Sequence, residues 1–194
     1  MNVQHHHLEG LIEITPAVYH DARGYFLETY HTERFRALGI DRPFVQVNQS
    51  FSRKGVLRGL HFQRPPHQQG KLVSVVQGRV LDVSVDLRPG SPTYGQHAKV
   101  LIDSERHNLL YVPEGFAHGF VALEDSIFNY QCTNLYHQPA DGGLRWNDPD
   151  LNVDWELEHY GIHSPIVSEK DQLLPSFAAY NQSPATTLED TTSN

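Results

Sequence analysis

The sequence predicts an all-β protein built as an antiparallel sandwich or barrel, with a jelly roll as the leading architecture. Seven or more short segments alternate apolar and polar residues, which is the period of a half-buried strand. These segments recur at fairly even spacing and are separated by turn sequences such as Arg64-Pro65-Pro66 and Pro113-Glu114-Gly115. Helical periodicity is scarce, and short peripheral helices are all that it predicts. Even spacing of short strands is typical of closed or two-layered β architectures.

Each predicted strand is justified by its own pattern, and the clearest is the segment from Leu81 to Leu87. The four apolar side chains at 81, 83, 85 and 87 share one face of that strand. The segment Leu72–Val76 lies before it, and the intervening Gln77-Gly78 is typical of a tight hairpin turn. One helix of about two turns is predicted over His31–Leu38. The other predicted strands are Phe44–Phe51, Val56–Phe62, Ala98–Ile102, Leu109–Val112, His118–Leu123 and Ile127–Thr133.

The length of 194 residues predicts one domain, long enough to bury roughly two thirds of its unfolded surface. We assign residues 1–177 to this domain and the polar segment 178–194 to a loose tail. The single cysteine, Cys132, excludes an intramolecular disulfide framework. The sequence has no apolar run of membrane-spanning length and no recognisable leader, so we expect a cytoplasmic protein without a membrane partner.

The formal charge of −8, from 15 Lys and Arg against 23 Asp and Glu, argues against a nucleic-acid partner. Attraction to phosphates supplies most of the affinity of non-specific nucleic-acid binding, and it needs a broad basic surface. A small anionic ligand is compatible with this charge, since a few basic side chains in a cleft dominate at short range.

The run Gly55–Gln63 places a cation, Arg58, and an imidazole, His61, within an apolar strand. A cation is costly to desolvate without a compensating partner, which indicates a ligand. The alternative is a surface strand with solvated polar residues. Arg58 and His61 fall on opposite faces of a regular strand, so they share a pocket only if Gly59 marks a bulge or one of them lies at the strand end.

A second run, Tyr111–Phe120, presents His118 directly after the turn at Pro113-Glu114-Gly115. A hydrogen-bonded structural histidine explains this pattern about as well as a functional one. The two runs occupy the places of the two histidine motifs of cupins, the small jelly-roll barrels. Metal-binding cupins need His-x-His and an acid in the first motif, whereas this chain has His61-Phe62-Gln63. We therefore predict a metal-free site. The triplet His5-His6-His7 is predicted to be a solvated edge segment.

Two further side chains are predicted to point into the interior. Tyr130 shares a strand face with Phe128 and Cys132, and Lys71 shares one with Val73 and Val75. A buried phenol more often bonds only a neighbour, but beside His61 it could donate a proton. A buried lysine favours a negative partner or a developing oxyanion, unless it reaches the rim of the barrel.

Six motifs in order and spacing resemble the dTDP-4-dehydrorhamnose 3,5-epimerase family over nearly the whole chain. They lie within the segments 21–28, 46–50, 56–63, 69–73, 112–120 and 144–149, and the resemblance continues to Ser168-Glu169-Lys170-Asp171. The resemblance implies a homodimeric cupin without metal or cofactor, acting on a dTDP-linked 4-keto-6-deoxyhexose for deoxysugar and polysaccharide biosynthesis.

The resemblance also assigns residue roles. It implies that His61 is the catalytic base, that Asp171 pairs with it, that Tyr130 is the acid and that Tyr136 stacks on the thymine. Asp141 stands where many relatives carry glutamate, so its nucleotide contact is expected to be shortened or lost. The remaining substrate-contacting positions are Arg23, Phe26, Glu28, Gln46, Asn48, Arg58, Lys71, His118 and Lys170.

The residue types fit this chemistry independently of the resemblance. Inverting a carbon beside a ketone requires removing one proton and returning another from the opposite face, with no redox step. Imidazole titrates near ~6.5 and phenol near ~10, which suits His61 as base and Tyr130 as acid. Asp171 would orient the base, Lys71 would stabilise the enolate oxygen, and the arginines Arg23 and Arg58 would hold the pyrophosphate.

Three alternatives remain open at this stage. The nearest is an epimerase that inverts only C3 or only C5, which the sequence does not distinguish. The second is a metal-dependent cupin oxygenase or isomerase, which would carry tightly bound metal. The third is a non-catalytic jelly roll that binds a nucleotide sugar without exchanging its hydrogens.

Overall fold

The computed structural model describes residues 1–182, which form fourteen strands, three short α-helices and one 3-10 turn at Gln138–Ala140. No helix in this described part is long and apolar enough to cross a membrane. The helices are α1 (Thr32–Arg36), α2 (Glu169–Gln172) and α3 (Phe177–Gln182). The strands are β1 (Asn2–His5), β2 (Ile12–Thr15), β3 (Val18–Asp21), β4 (Gly24–Leu27), β5 (Gln46–Ser52), β6 (Val56–Gln63), β7 (Lys71–Gln77), β8 (Arg79–Asp86), β9 (His97–Asp103), β10 (Leu109–Val112), β11 (Phe116–Ala122), β12 (Ser126–Cys132), β13 (Asp141–Gly143) and β14 (Ile166–Val167).

Two antiparallel sheets pack face to face and form the jelly roll that the sequence predicts. The first sheet has the order β1-β2-β10-β7-β12-β5, and the second has the order β13-β6-β11-β8-β9, with β14 parallel to β6. Val73 and Phe128 of the first sheet share one buried cluster with Val80 and Phe120 of the second. This cluster fills the middle of the barrel and leaves one end for polar side chains.

The eight predicted strands are all present, with ends shifted by no more than about two residues. The predicted hairpin at Gln77-Gly78 is wrong, however. Strand β7 pairs with β10 and β12 in the first sheet, whereas β8 pairs with β9 and β11 in the second. Gly78 has a φ of +82°, and a Cβ there would lie 2.5 Å from the Asp125 carbonyl oxygen. The glycine therefore turns the chain from one sheet to the other.

The histidine triplet does not lie wholly in solvent. His5 and His7 are exposed, but the side chain of His6 is only 14% exposed and lies 3.6 Å from the Glu13 carboxylate. That carboxylate also accepts a hydrogen bond of 2.7 Å from the Asn108 amide. Burial lowers the pKa of His6 despite the nearby anion. The prediction of a solvated segment is thus wrong for the middle histidine.

The C-terminal region covers the outer face of the second sheet. Residues 178–182, which the sequence analysis places in a loose tail, lie in α3. The Tyr180 ring meets the Phe62 ring edge-on at 5.5 Å, and the Phe177 N–H donates to the Asp148 carboxylate at 2.9 Å. The packed domain therefore extends at least to the end of α3, and residues 183–194 lie outside the described residues.

Candidate active site

The polar end of the barrel contains two adjoining cavities of about 350 and 210 Å³. Both cavities are lined by His61 of the second sheet and by Lys71 and Tyr130 of the first. The larger cavity is also lined by Gln46, Asn48, Phe62, Gln63, Gln69, Tyr136, Asp141 and Lys170, and the smaller by Ser50, Arg58, His118, Gly119, Phe120 and Phe128. The two sheets thus bring together most of the predicted site residues.

A bulge in β6 places Arg58 and His61 on the same cavity, which is one of the two arrangements that the sequence allowed. His118 of β11 pairs with His61, and Phe120 pairs with Arg58, so three steps of β6 oppose two of β11. Gly59, inside this bulge, has a φ of +119°. A Cβ on Gly59 would lie 2.6 Å from the Gly119 Cα, so the backbones of these two paired strands are in direct contact at the bulge.

His61 and Asp171 form a hydrogen-bonded pair at the cavity wall. His61 Nε2 lies 2.7 Å from Asp171 Oδ1, with the histidine side chain 33% exposed and the carboxylate 5% exposed. The second carboxylate oxygen accepts from the Gly59 N–H at 3.2 Å, and Ser168 Oγ caps α2 through the Asp171 N–H at 3.1 Å. Burial by itself raises the pKa of Asp171, but His61, Gly59 and Ser168 outweigh it, so this pKa lies below its ordinary value.

Lys71 and Tyr130 face His61 from the opposite sheet. They lie on adjacent strands, with Cys132 paired to Lys71 and Tyr130 paired to Val73. Burial lowers the pKa of Lys71, and the surrounding groups, which include Asp82, only partly oppose this shift. Burial raises the pKa of Tyr130, so its phenol keeps its proton at neutral pH. The cavity therefore holds a hydrogen-bonded imidazole on one wall and a protonated phenol on the other.

His118 also belongs to a histidine–aspartate pair, and the aspartate is a residue that the sequence analysis missed. His118 Nε2 lies 2.8 Å from Asp82 Oδ2, and both side chains are buried. Burial lowers the pKa of His118, which outweighs the attraction of Asp82. The missed signal was the polar face of β8, where Asp82, Ser84 and Asp86 alternate with apolar residues and are all buried.

At the mouth of the larger cavity, Tyr136, Asp141 and Lys170 form a polar group. Lys170 Nζ donates to Asp141 Oδ2 at 2.5 Å, and the Tyr136 hydroxyl donates to the same oxygen at 3.3 Å. The Tyr136 N–H donates to Gln46 Oε1 at 2.8 Å, and the Gln46 amide donates to Asn48 at 3.0 Å. The shorter Asp141 carboxylate thus contacts the aromatic side chain and lysine predicted to bind the nucleotide.

Three predicted substrate-binding residues do not reach this cleft within their own chain. Arg23 and Phe26 lie on the hairpin formed by β3 and β4, and Glu28 follows it. The Arg23 side chain is 90% exposed and pairs with Asp21, while Glu28 pairs with Arg34 at 2.8 Å. The chain leaves β2 for this hairpin next to Leu109, the first residue of β10. Lys71 pairs with Val112, at the other end of β10. The hairpin therefore lies at the far end of the first sheet from the cavity.

Two glutamines, Gln63 and Gln69, line the cleft and were not predicted as site residues. Gln69 donates to the Asn134 carbonyl at 2.8 Å. Nothing in the sequence pattern distinguishes these amides from solvated surface glutamines.

Among residues 1–182 no group of three or more His, Cys, Asp or Glu side chains is arranged to hold a metal ion.

Comparison with known proteins gives one consistent family. The sequence profile of the family described as dTDP-4-dehydrorhamnose 3,5-epimerase matches residues 5–179. An enzyme of that name from Methanothermobacter thermautotrophicus is 51% identical over 166 residues, covering 85% of this chain and 88% of the relative. The Legionella pneumophila 3,5-epimerase in complex with dTDP-4-keto-L-rhamnose is 42% identical, with a TM-score of 0.85 and coverage of 90% and 92%. A 3′-monoepimerase from Streptomyces bikiniensis in complex with dTDP-quinovose is 34% identical, with a TM-score of 0.84 and coverage of 91% and 88%.

Proposed function

Because the chain belongs to the dTDP-4-dehydrorhamnose 3,5-epimerase family, we propose that the cleft around His61 carries out the proton transfers of this isomerase reaction. The reaction inverts C3 and C5 of dTDP-4-dehydro-6-deoxyglucose and gives dTDP-4-dehydro-L-rhamnose. The observation that carries the proposal is the placement of His61 and Tyr130 on opposite sheets around one cavity. Inversion requires a base on one face of a carbon and an acid on the other.

In the proposed mechanism, His61 removes a proton from a carbon beside the C4 ketone. The electron pair of that C–H bond forms a C=C bond, and the carbonyl π electrons move to the C4 oxygen. Asp171, at 2.7 Å, fixes the tautomer of His61 and stabilises the imidazolium. The C4 carbonyl then re-forms as the C=C electron pair takes the proton of the Tyr130 hydroxyl on the other face, which leaves the carbon inverted. The phenolate of Tyr130 and the imidazolium of His61 return to their starting states by proton exchange with solvent. Atoms and electrons balance without an oxidant, a reductant or a cofactor.

Lys71 is placed to stabilise the negative charge on the C4 oxygen. It lines both cavities from the same sheet as Tyr130, and its surroundings are desolvated. A charged donor in such surroundings interacts more strongly with a developing oxyanion than it would in water. Arg58, which lines the smaller cavity, and Lys170, at the mouth of the larger one, supply positive charge for the pyrophosphate.

The test is proton NMR with dTDP-4-keto-6-deoxyglucose in deuterium oxide. We expect wild-type protein to exchange the hydrogens at C3 and C5 and to form the rhamnose product. His61→Asn should abolish exchange while binding dTDP within about threefold of wild type, because the base does not contact the nucleotide. Tyr130→Phe should continue exchange after inversion has stopped, because only the donor on the far face is removed.

Three results would contradict the proposal. Full turnover by His61→Asn would exclude it as the base, and normal product formation by Tyr130→Phe would remove the tyrosine from the mechanism. Exchange at one carbon only would place the chain with single-centre enzymes such as the 3′-monoepimerase to which it is 34% identical.

We also propose that a second copy of this chain completes the cleft. Strand β5 is an edge of the first sheet and carries Gln46 and Asn48 on its inner face. Its outer face exposes Val47 and Phe51, which are 63% and 55% exposed. An edge strand with exposed apolar side chains favours pairing with another chain. The hairpin formed by β3 and β4 likewise exposes Phe26, at 68%. A homodimer in which this hairpin reaches the partner's cleft would bring the three distant residues to the substrate.

Mixing two variants tests this arrangement. Arg23→Ala and His61→Asn should each have little activity as homodimers. In a heterodimer, one of the two clefts would combine an intact His61 with an Arg23 from the other copy. Random pairing should therefore restore about a quarter of the wild-type activity per site. If Arg23 serves the cleft of its own chain, no mixture will recover activity.

A further inference from the structure

Gln63 is a buried side chain whose amide is hydrogen-bonded to the backbone of two loops. The first loop, residues 64–70, joins β6 to β7, and the second, residues 133–137, follows β12. Gln63 is the last residue of β6 and is 7% exposed. Its Nε2 donates to the His67 carbonyl at 2.6 Å and to the Leu135 carbonyl at 3.2 Å. Its Oε1 accepts from the His137 N–H at 2.6 Å. Both N–H groups and the carbonyl oxygen therefore have protein partners, which is the arrangement that fixes an amide side chain most firmly.

The second of these loops carries Tyr136 between two residues that Gln63 holds. Gln63 bonds the backbone of Leu135 and His137, and Gln46 bonds the Tyr136 N–H from the opposite side of the cleft. The backbone of this aromatic residue is thus held at three successive positions by two glutamines. Tyr136 is 54% exposed at the mouth of the cavity, so its ring is positioned by the loop backbone and by the hydroxyl contact with Asp141.

The first loop is held to the second through the same amide. The His67 and His137 rings stack with their centroids 3.7 Å apart and their planes 10° apart. Gln63 bonds the carbonyl of His67 and the N–H of His137, so the ring contact and the amide join the same two loops. Removing the amide would therefore loosen both sides of the mouth together.

We propose that Gln63 is a positioning residue that sets the affinity for the nucleotide by holding Tyr136 in place. The inference rests on the proposed function and on the role that the family resemblance implies for Tyr136, which is to stack on the thymine. Gln63 stands two residues after His61, where a metal-binding cupin would have its second imidazole. In this chain Gln63 instead holds the loop of Tyr136, which is the platform on which the nucleotide base is expected to stack. The reacting groups His61, Lys71 and Tyr130 line other parts of the cleft.

The test uses Gln63→Met, which keeps the length and apolar contacts of the side chain but removes all three hydrogen bonds. We expect the Kd for dTDP, measured by calorimetry, and the KM for the sugar nucleotide to rise about tenfold, because three backbone groups lose their partner and the loop that carries Tyr136 is no longer held. At saturation, kcat should stay within about twofold, since His61, Asp171 and Tyr130 are untouched. Gln63→Glu should be worse than Gln63→Met, because it places an anion against two carbonyl oxygens.

Gln68→Met is the matched control, since Gln68 is half-buried in the same loop but outside both cavities of the cleft. It should bind dTDP like wild type. Should Gln63→Met fail to fold, Gln63→Asn keeps the amide but withdraws it from the loops and gives the same readouts. A Kd for dTDP equal to wild type in a folded Gln63 variant, or a fall in kcat as large as the rise in KM, overturns the inference.

A double variant separates this inference from the proposed function. If Tyr136 is the platform, Tyr136→Ala should weaken dTDP binding, and adding Gln63→Met should weaken it little further. Unchanged binding by Tyr136→Ala would refute the platform itself. Weak binding by Tyr136→Ala combined with full additivity of the two changes would refute only the role of Gln63.

Discussion

At the scale of single residues, burial shifts the pKa values of Lys71 and Tyr130, which the first sheet places in the cavity, in opposite directions. It lowers the pKa of Lys71 below that of an ordinary lysine, and it raises the pKa of Tyr130 above that of an ordinary tyrosine. These opposite shifts favour loss of the lysine proton before the tyrosine proton as the pH rises. The electrostatic stabilisation of the enolate, and not the proton donor, should be lost first at alkaline pH.

This difference predicts the alkaline limb of the pH–rate profile. The kcat of wild-type protein should fall at a pH below ~10.4, the ordinary pKa of lysine. Lys71→Arg should lower kcat by about tenfold or more, because a guanidinium has a different shape, but its alkaline limb should move upward, since arginine stays charged. The measurement is kcat between pH 7 and 10.5. An alkaline limb at the same pH in Lys71→Arg would assign the limb to another group.

Residue patterns also show where sequence reasoning failed. Both faces of β8 are buried, so its alternation does not separate core from solvent. The apolar face, with Leu81 and Val83, packs under the C-terminal region, while Asp82 and Ser84 point between the sheets. Alternation reports that the two faces differ, but the partner of each face depends on segments distant in sequence. Asp82 was missed for this reason.

At the scale of elements, the close backbone contact between β6 and β11 at the bulge determines the geometry of the base. A Cβ on Gly119 would lie 2.6 Å from the Arg58 carbonyl oxygen and 3.1 Å from the Gly59 Cα. Because both are backbone atoms, the β6 bulge would have to move to make room for a Cβ on Gly119. The same bulge supplies the Gly59 N–H that bonds Asp171.

Gly119→Ala should therefore reduce both stability and activity. We expect the free energy of unfolding to fall by roughly 1–3 kcal/mol through overpacking, and the C5 exchange rate to fall at least about tenfold as His61 and Asp171 separate. Gly70→Ala is the comparison, because its Cβ would be crowded only by side-chain atoms of Tyr111 and Thr133, the nearest at 3.1 Å, which can move, so it should lose less stability and leave the contact of β6 with β11 intact. Urea unfolding and the NMR exchange assay measure the two effects. A C5 exchange rate in Gly119→Ala equal to that of wild type would show that the contact between β6 and β11 does not position the base.

Most strands predicted from sequence span five or more residues, and the four-residue strand β10 was predicted from a run made only of apolar residues. The short strands β1 to β4, β13 and β14 were not predicted, because they have two to four residues and lack such a run. The turn at Gly78 was recognised, but its role was not. A glycine with positive φ fits a hairpin and a change of sheet equally well, and only the pairing of β7 and β8 with other strands decides between them.

At the scale of the whole molecule, one buried and two partly buried histidines link stability to pH. Burial lowers the pKa of His6, His97 and His118 in the folded protein. In the unfolded chain they titrate near ~6.5, so the unfolded state binds more protons once the pH falls below that value. The contribution of these groups is fully present above pH ~6.5 and is lost as the pH falls through their folded-state pKa values.

The free energy of unfolding should therefore decrease between pH 7 and pH 5. His118→Asn should flatten this slope, whereas His5→Gln, at an exposed position, should leave it unchanged. Urea unfolding at several pH values and one protein concentration measures the slope, because dimerisation would add a concentration dependence. A slope in His118→Asn equal to that of wild type would assign the proton uptake to other groups.

By itself, the sequence determined the fold class, the strands with long alternating patterns and the residue types of the cleft. These depend on local periodicity and on motifs such as Arg58-Gly59-Leu60-His61, which a single chain segment carries. Only the tertiary structure decided that His61 and Tyr130 stand on opposite walls, that Gln63 holds the loop of Tyr136, and that Arg23 lies away from its own cleft. The physical reason is that each of these facts depends on which strands pair across long sequence separations, and local alternation carries no information about those partners.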